Sequence, residues 1–156
     1  MASRRDQIRM TDEELASFLD EQRVVQVCTI GPDNRPHLMP LWYVVEQAPV
    51  LRGWTYAASQ KAKNLERDPR ATLGIDDGVQ YEELRGVMFE CDVELERDPE
   101  QLAELGVSIF KRYGDGSDLS DEAREMVRKQ AEKRVGLRFV PTKVVSWDHR
   151  KLGGTY

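Results

Sequence analysis

The chain has 156 residues, of which 40% are hydrophobic and 33% charged, and its formal net charge is −5. These values predict one globular domain over residues 1–156 with a heavily charged surface, and they argue against nucleic acid as a partner. No apolar run approaches the ~18 residues of a membrane helix, and neither Cys28 nor Cys91 lies in a metal-binding pattern, so we expect a cytoplasmic protein without membrane association or a structural metal.

The chain begins with a polar segment and a helix. Residues 1–10 lack the hydrophobic region of a secretory signal, and we expect them to be flexible. Thr11 and Glu14 have the spacing of a capping box, in which each side chain binds the other residue's backbone N–H. Apolar residues at helical spacing then predict a helix to about Glu21. The nearly continuous β-branched run over residues 24–30 predicts a strand buried on both faces.

A proline interrupts the second predicted strand. This strand, over residues 36–45, follows a turn at residues 31–34 and forms a hairpin with the first strand. Because proline cannot donate to a β-ladder, Pro40 indicates either a bulge, which can aim backbone groups at a ligand, or an edge strand. The sequence does not distinguish these two structures.

A third predicted strand leads into a short helix. The strand covers residues 50–56, and Ser59 is a suitable N-cap because its hydroxyl can accept a hydrogen bond from a first-turn N–H group. Asp68-Pro69 ends the helix, since the residue before a proline avoids the α conformation.

Two lysines in the first turn of this helix are unusual. Lys61 and Lys63 each oppose the helix dipole by roughly 0.3–1 kcal/mol, whereas an anion bound to the first-turn N–H groups would make them favourable. Residues 50–75 carry five cations and two anions, a net charge of 5 − 2 = +3 in a chain of −5, which favours a small anionic ligand. The alternative is that both lysines are simply solvated.

The second half of the chain predicts further strands and helices. Residues 87–96 alternate apolar and acidic side chains, which is typical of a strand with one solvated face and not of a catalytic carboxylate pair. With six or so short strands, the chain is expected to form a closed or half-open β-barrel decorated by helices. The other predicted strands are 71–75, 135–140 and 143–147, and the other helices run from Asp98 to Tyr113 and from Ser120 to Gln130.

Motifs of several other enzyme classes are absent. The sequence has no GxGxxG after a strand, no GxxxxGK[ST] and no GxSxG, so neither a dinucleotide or P-loop site nor a serine hydrolase is supported. Its two histidines, His37 and His149, do not lie near a convincing nucleophile. The catalytic residue is therefore unknown from sequence.

Three blocks of sequence resemble one family. Ser59-Gln60-Lys61-Ala62, followed by Asn64-Leu65 and Asp68-Pro69-Arg70-Ala71, is similar to the phosphate-binding segment of the pyridoxamine 5′-phosphate oxidase-like, FMN-binding split barrels. The blocks Pro-His-Leu-x-Pro-x-Trp (36–42) and Trp-Asp-x-Arg-Lys-Leu (147–152) resemble the F420-dependent, B-type branch of actinobacteria. The resemblance covers roughly residues 11–156. It implies a mainly β (α+β) fold, a six-stranded split β-barrel with peripheral helices, in a homodimer.

The resemblance also implies which residues hold the cofactor. By matching position, Thr55, Ser59 and Lys61 bind the phosphate of a flavin-type cofactor, Lys63 assists them, and Asn64 orients Lys63. One strand then lies along the ring of the cofactor. Its residues are His37, Leu38, Met39, Pro40, Leu41 and Trp42.

The C-terminal tail, residues 148–156, is expected beside the dimer cleft. In the resembling proteins this region lies next to the partner's cofactor. The resemblance therefore implies that Trp147, Arg150 and Lys151 add to the cofactor site across the subunit interface.

The implied function is that of an F420-dependent oxidoreductase. It would transfer a hydride between the deazaflavin and a small organic substrate that the sequence does not identify. Gln60 stands where the oxidases of the family carry arginine, which favours F420 over FMN. Three alternatives stay open: an FMN oxidase or reductase, a non-catalytic F420-binding protein, and a haem-binding protein with His37 or His149 as ligand.

Overall fold

The computed structural model describes residues 3–154, which form seven β-strands and five α-helices. No helix in this part of the chain is long and apolar enough to cross a bilayer. The helices are α1 (Arg4–Ile8), α2 (Asp12–Glu21), α3 (Gln60–Arg67), α4 (Pro99–Tyr113) and α5 (Asp121–Ala131). The strands are β1 (Val24–Ile30), β2 (Pro36–Trp42), β3 (Val44–Gln47), β4 (Val50–Tyr56), β5 (Arg70–Asp77), β6 (Arg85–Glu96) and β7 (Arg134–Asp148). Short 3-10 segments lie at Tyr81–Glu83 and His149–Leu152.

Side-chain caps set the starts of the helices. The Thr11 hydroxyl accepts a hydrogen bond from the Glu14 N–H (3.1 Å), and the Glu14 carboxylate accepts one from the Thr11 N–H (2.8 Å). At the start of α4, Asp98 accepts hydrogen bonds from the N–H groups of Glu100 and Gln101. The predicted starts of α2 and α4 are therefore confirmed, because these side chains satisfy N–H groups that have no partner inside the helix.

One antiparallel sheet forms the body of the protein, in the order β2-β1-β5-β6-β7-β4-β3. β2 and β3 stand at its two edges, yet Tyr43 alone separates them in sequence. The sheet therefore curls until its two edges meet at this residue, as in a barrel. A mainly β fold with peripheral helices was predicted, and it is confirmed.

The number of strands is seven where six were predicted. The predicted strand over residues 36–45 is divided at Tyr43 into β2 and β3, because its first half pairs with β1 and its second half with β4. The predicted strands 135–140 and 143–147 are one strand, β7. A shift in its register against β6, opposite Pro141, lets the ladder continue past a residue that has no N–H donor.

Strands β1 and β2 differ from their predicted environments. β1 is buried on one face instead of two: Val25 and Val27 are fully buried, whereas Val24 is 43% exposed. Opposite it, Pro40 pairs with Gln26 without a shift in register, and β2 is an edge strand. Pro40 therefore marks a sheet edge and not a bulge.

The sheet has an apolar core on each face. Inside the curl, Tyr43, Phe89 and Leu137 are among the fully buried side chains. On the other face, α4 and α5 pack against Trp54 of β4. Gly106 of α4 permits this contact, since a Cβ atom there would lie 2.5 Å from the Trp54 ring. The two helices thus cover the outer face of the sheet at β4.

The N-terminal segment packs against the C-terminal one. Residues 1–10 were expected to be flexible; α1 forms within them and contacts the 3-10 segment that follows β7, and Met10 is buried. Residues 1–2 and 155–156, which belong to the expected flexible segment and to the C-terminal tail, lie outside the described residues.

We expect Asp148→Asn to lower the free energy of unfolding by about 1–3 kcal/mol at pH 7. Asp148 is buried, and its carboxylate accepts two hydrogen bonds from the Arg150 guanidinium (2.9 and 2.7 Å). These bonds hold the pKa of Asp148 below its usual value of 3.8. The stabilisation is therefore present above the unfolded-state pKa and is lost as the pH falls through the lower folded-state pKa. Urea unfolding of both proteins between pH 7 and pH 2 tests this, and a pH-independent difference would contradict it.

Candidate functional site

The start of α3 carries hydrogen-bond donors that are not used by the protein. β4 ends at Tyr56, and Ser59 caps the helix by accepting a hydrogen bond from the Ala62 N–H (3.2 Å). The Thr55 hydroxyl lies 3.3 Å from the Ser59 hydroxyl. Among the described residues, the backbone N–H groups of Gln60 and Lys61 have no acceptor. Two hydroxyls and two free N–H groups thus meet at the positive end of a helix dipole, which is the chemistry of an anion site.

Lys61 is the unusual residue of this site. It is only 6% exposed, and burial lowers the pKa of its ammonium group. No carboxylate in the described part of the chain forms an ion pair with it. Burying a charge is costly unless it is paired. The solvated alternative therefore fits Lys63, which is exposed, better than it fits Lys61, whose side chain is buried.

Asn64 anchors the helix to the sheet. It is fully buried, and its amide donates a hydrogen bond to the Thr29 hydroxyl of β1 (3.0 Å). Its carbonyl accepts one from the Gln60 amide (2.8 Å). The role expected for Asn64, orienting Lys63, is not what these contacts show: Asn64 holds the start of α3 in place. Thr29 escaped sequence analysis because only the tertiary contact between α3 and β1 gives it a role.

His37 has a buried nitrogen without a partner. It faces Thr29 across the β1–β2 ladder, which places it next to the Thr29–Asn64 hydrogen bond. Its Nδ1 atom is buried and has no hydrogen-bond partner in residues 3–154. Such an atom costs free energy unless something binds it.

Of the other predicted residues of β2, Leu41 is half-buried against the barrel core, and the rest are exposed. Leu38, Met39 and Trp42 are 60%, 48% and 52% exposed. The Trp42 ring stacks on Tyr113 of α4, with centroids 4.3 Å apart and planes 4° from parallel. Tyr113 also accepts a hydrogen bond from the Tyr43 N–H (2.8 Å), so it fixes the bend at which the sheet closes. Sequence analysis did not identify Tyr113, because it lies 70 residues from Tyr43 in the chain.

The tail residues lie far from α3 within one subunit. Thr55 pairs with Val135 near the start of β7, and Trp147 lies near the end of the same strand. The twelve residues from Val135 to Trp147 correspond to about 40 Å of extended strand. Arg150 is bound to Asp148, and Lys151 donates to the Arg9 carbonyl (2.7 Å) and pairs with Glu14 (2.6 Å). The structure thus brings Thr55, Ser59 and Lys61 together but not Trp147, Arg150 and Lys151. Any contribution from these three requires a second subunit.

A curled antiparallel sheet with peripheral helices is the architecture of a split barrel. The chain belongs to the pyridoxamine 5′-phosphate oxidase family, whose model matches residues 11–148. The predicted split-barrel fold is therefore confirmed, and with it a superfamily of oxidoreductases and cofactor-binding proteins. A search of the curated proteins found no match.

Solved structures with the same fold include proteins of different activities. A conserved hypothetical protein from Mycobacterium tuberculosis, Rv2991, is 43% identical over 99% of this chain and 95% of its own, with a TM-score of 0.89. An F420 reductase is 22% identical over 86% of this chain and 98% of its own (TM-score 0.65). HutZ, the heme storage protein from Vibrio cholerae, is 18% identical over 86% and 94% (TM-score 0.66). The last two likenesses establish the fold alone.

Proposed function

We propose that the protein is an F420-dependent oxidoreductase that acts on a small organic substrate. The observation that carries this proposal is the buried side chain of Lys61, which has no ion-pair partner among the described residues and lies in the first turn of the helix that Ser59 caps. A phosphate group fits this site because it would pair the ammonium charge and accept hydrogen bonds from the two free N–H groups. The exposed Lys63 adds a second positive charge nearby.

The choice of F420 over FMN rests on Gln60. Arginine at this position would supply a second fixed cation to the phosphate, whereas the Gln60 amide is neutral and donates to Asn64. The sequence blocks at 36–42 and 147–152 favour the same cofactor. FMN is the second candidate, because the remaining phosphate residues suit both molecules.

The edge strand β2 suits the ring of the cofactor. Its backbone groups on the side away from β1 have no strand partner among the described residues, so they are available to a polar ring edge. Trp42, held by Tyr113, offers an apolar surface beside them. When bound and reduced, F420 supplies a hydride; this chain's own residues bind the phosphate, orient the ring and limit the access of water.

We also propose that the protein forms a homodimer through the β1–β2 hairpin. Val24, Leu38, Pro40 and Trp42 are exposed and lie on one face of the β1–β2 hairpin, which is an unusual concentration of apolar residues for a free surface. We propose that a second subunit covers this face. Sedimentation analysis that gave a monomer at micromolar concentration would contradict this part of the proposal.

Titration with F420 and, separately, with FMN tests the cofactor. Quenching of Trp42, Trp54 and Trp147 fluorescence reports binding, and we expect micromolar affinity for F420 with much weaker binding of FMN. Turnover with reduced F420 and a panel of quinones and enones then separates an enzyme from a carrier protein. Tighter binding of FMN would overturn the choice of cofactor, and F420 binding without turnover of any substrate would favour the non-catalytic alternative.

A further inference from the structure

A cavity lies between α4 and α5, on the face of the sheet opposite the barrel core. It has a volume of about 990 Å³, at the upper end of small-molecule sites, which span roughly 300–1,000 Å³. Leu102, Ala103 and Val107 of α4 and Ala131 of α5 line it with apolar side chains. Neither the sequence analysis nor the proposed function gives this cleft a role.

Positive side chains surround the apolar part of the cleft. Two of them are engaged elsewhere, Arg97 with Glu66 and Lys111 with Asp118. Arg128 and Arg134 form no ion pair with any carboxylate in residues 3–154, although three carboxylates line the same cleft. The cations that line the cleft are Arg97, Lys111, Arg124, Arg128 and Arg134, and the carboxylates are Glu100, Glu104 and Glu132.

Arg134 is held in position by aromatic rings. Its guanidinium carbon lies 3.8 Å from the centroid of Tyr56 and 5.2 Å from that of Trp54, which is the geometry of cation–π contacts. Its Nε atom is buried and has no acceptor among the described residues. A fixed guanidinium with unused donors loses little conformational entropy when it binds an oxyanion.

We propose that this cleft binds a small amphiphilic anion, with one carboxylate or phosphate head group on an aliphatic or aromatic body. Arg128 and Arg134 would bind the head group, and the apolar residues of α4 and α5 would cover the body. No residue of α3 or β2 lines the cleft, although Ala57, in the loop between β4 and α3, does.

Isothermal titration of the full-length protein with decanoate tests the proposal. We expect saturable binding of one decanoate per chain, and affinity that rises about fourfold for each methylene group from hexanoate to decanoate. Decanol, which has the same body without the charge, should bind at least tenfold more weakly. Decyl phosphate in parallel distinguishes the two head groups. Absence of saturable decanoate binding below about 1 mM, or binding displaced by F420, would overturn the proposal.

Substitutions on α5 provide a matched pair of variants. Arg128→Gln removes an exposed positive charge that lines the cleft. Lys129→Gln removes an exposed positive charge of the same helix that does not line the cleft. Arg128→Gln and Arg134→Gln should each weaken decanoate binding about 10–100-fold, whereas Lys129→Gln should leave it unchanged. Equal affinities in the Arg128→Gln and Lys129→Gln proteins would refute the site. Because Arg128 is exposed, its replacement tests the proposal even if Arg134→Gln fails to fold.

Discussion

Replacing Lys61 by methionine should weaken F420 binding by about 10–100-fold, or about 1.4–2.7 kcal/mol, and leave the empty protein at least as stable. The loss of affinity is that of a charge-assisted hydrogen bond to phosphate. The stability follows from burial: Lys61 is 6% exposed and has no counter-ion among the described residues, and methionine fills similar space without a charge.

The pH dependence gives this prediction a second readout. Burial lowers the folded-state pKa of Lys61 below its usual value of 10.5. Between these two pKa values the unfolded chain binds more protons, so the stability of the wild-type protein rises with pH. The advantage of the methionine variant is therefore largest below the folded-state pKa and shrinks towards pH 10.5. A bound phosphate favours the charged form, so F420 affinity should fall as the pH rises through the folded-state pKa.

Lys63→Met is the matched control, because Lys63 belongs to the same helical turn but is exposed. We expect it to weaken F420 binding less than Lys61→Met does and to change stability by less than about 0.5 kcal/mol. Fluorescence titration measures the affinity, and urea unfolding of the empty protein measures the stability. If Lys61→Met lowered stability and left affinity unchanged, Lys61 would be a structural residue. The proposal that it binds the phosphate of the cofactor would then be wrong.

Gly53→Ala should destabilise the protein by about 1–3 kcal/mol, and Gly53→Val should cost more. A Cβ atom at Gly53 would lie 2.8 Å from the Trp42 carbonyl oxygen and 2.8 Å from a Leu41 methyl carbon. Both neighbours belong to the bend that joins β2 to β3. The substitution therefore separates β4 from the strand that closes the sheet, and because β2 is proposed to hold the cofactor ring, F420 affinity should fall as well.

Gly74 provides the matched control for this test. It lies within β5 of the same sheet, and a Cβ atom there would have no neighbour within 4 Å. We expect Gly74→Ala to change stability by less than about 0.5 kcal/mol, since alanine needs no backbone adjustment there. Thermal or urea unfolding compares the two variants. Similar effects of both alanine substitutions would mean that close contact at Gly53 does not limit closure of the sheet.

Local signals in the sequence were enough for much of the fold. The capping box of α2, the start of α4, the N-cap Ser59 and the alternation of β6 depend on residues within a few positions of each other, and all of them were predicted. Errors arose where distant strands decide the outcome. Pro141 looked like the end of a strand, but β6 supplies a register shift that lets β7 continue. The second predicted strand became two because its halves have different partners.

The sequence by itself determined the family and the fold class, and it predicted an anion site at the start of α3. These depend on motifs and on hydrogen bonds between near neighbours. Only the tertiary structure decided that Lys61 is buried while Lys63 is exposed, that Asn64 binds Thr29, and that Arg134 stacks on Tyr56 beside the cleft between α4 and α5. Burial and unpaired charge are set by which distant elements pack together, and a pattern of neighbouring residues does not contain that information.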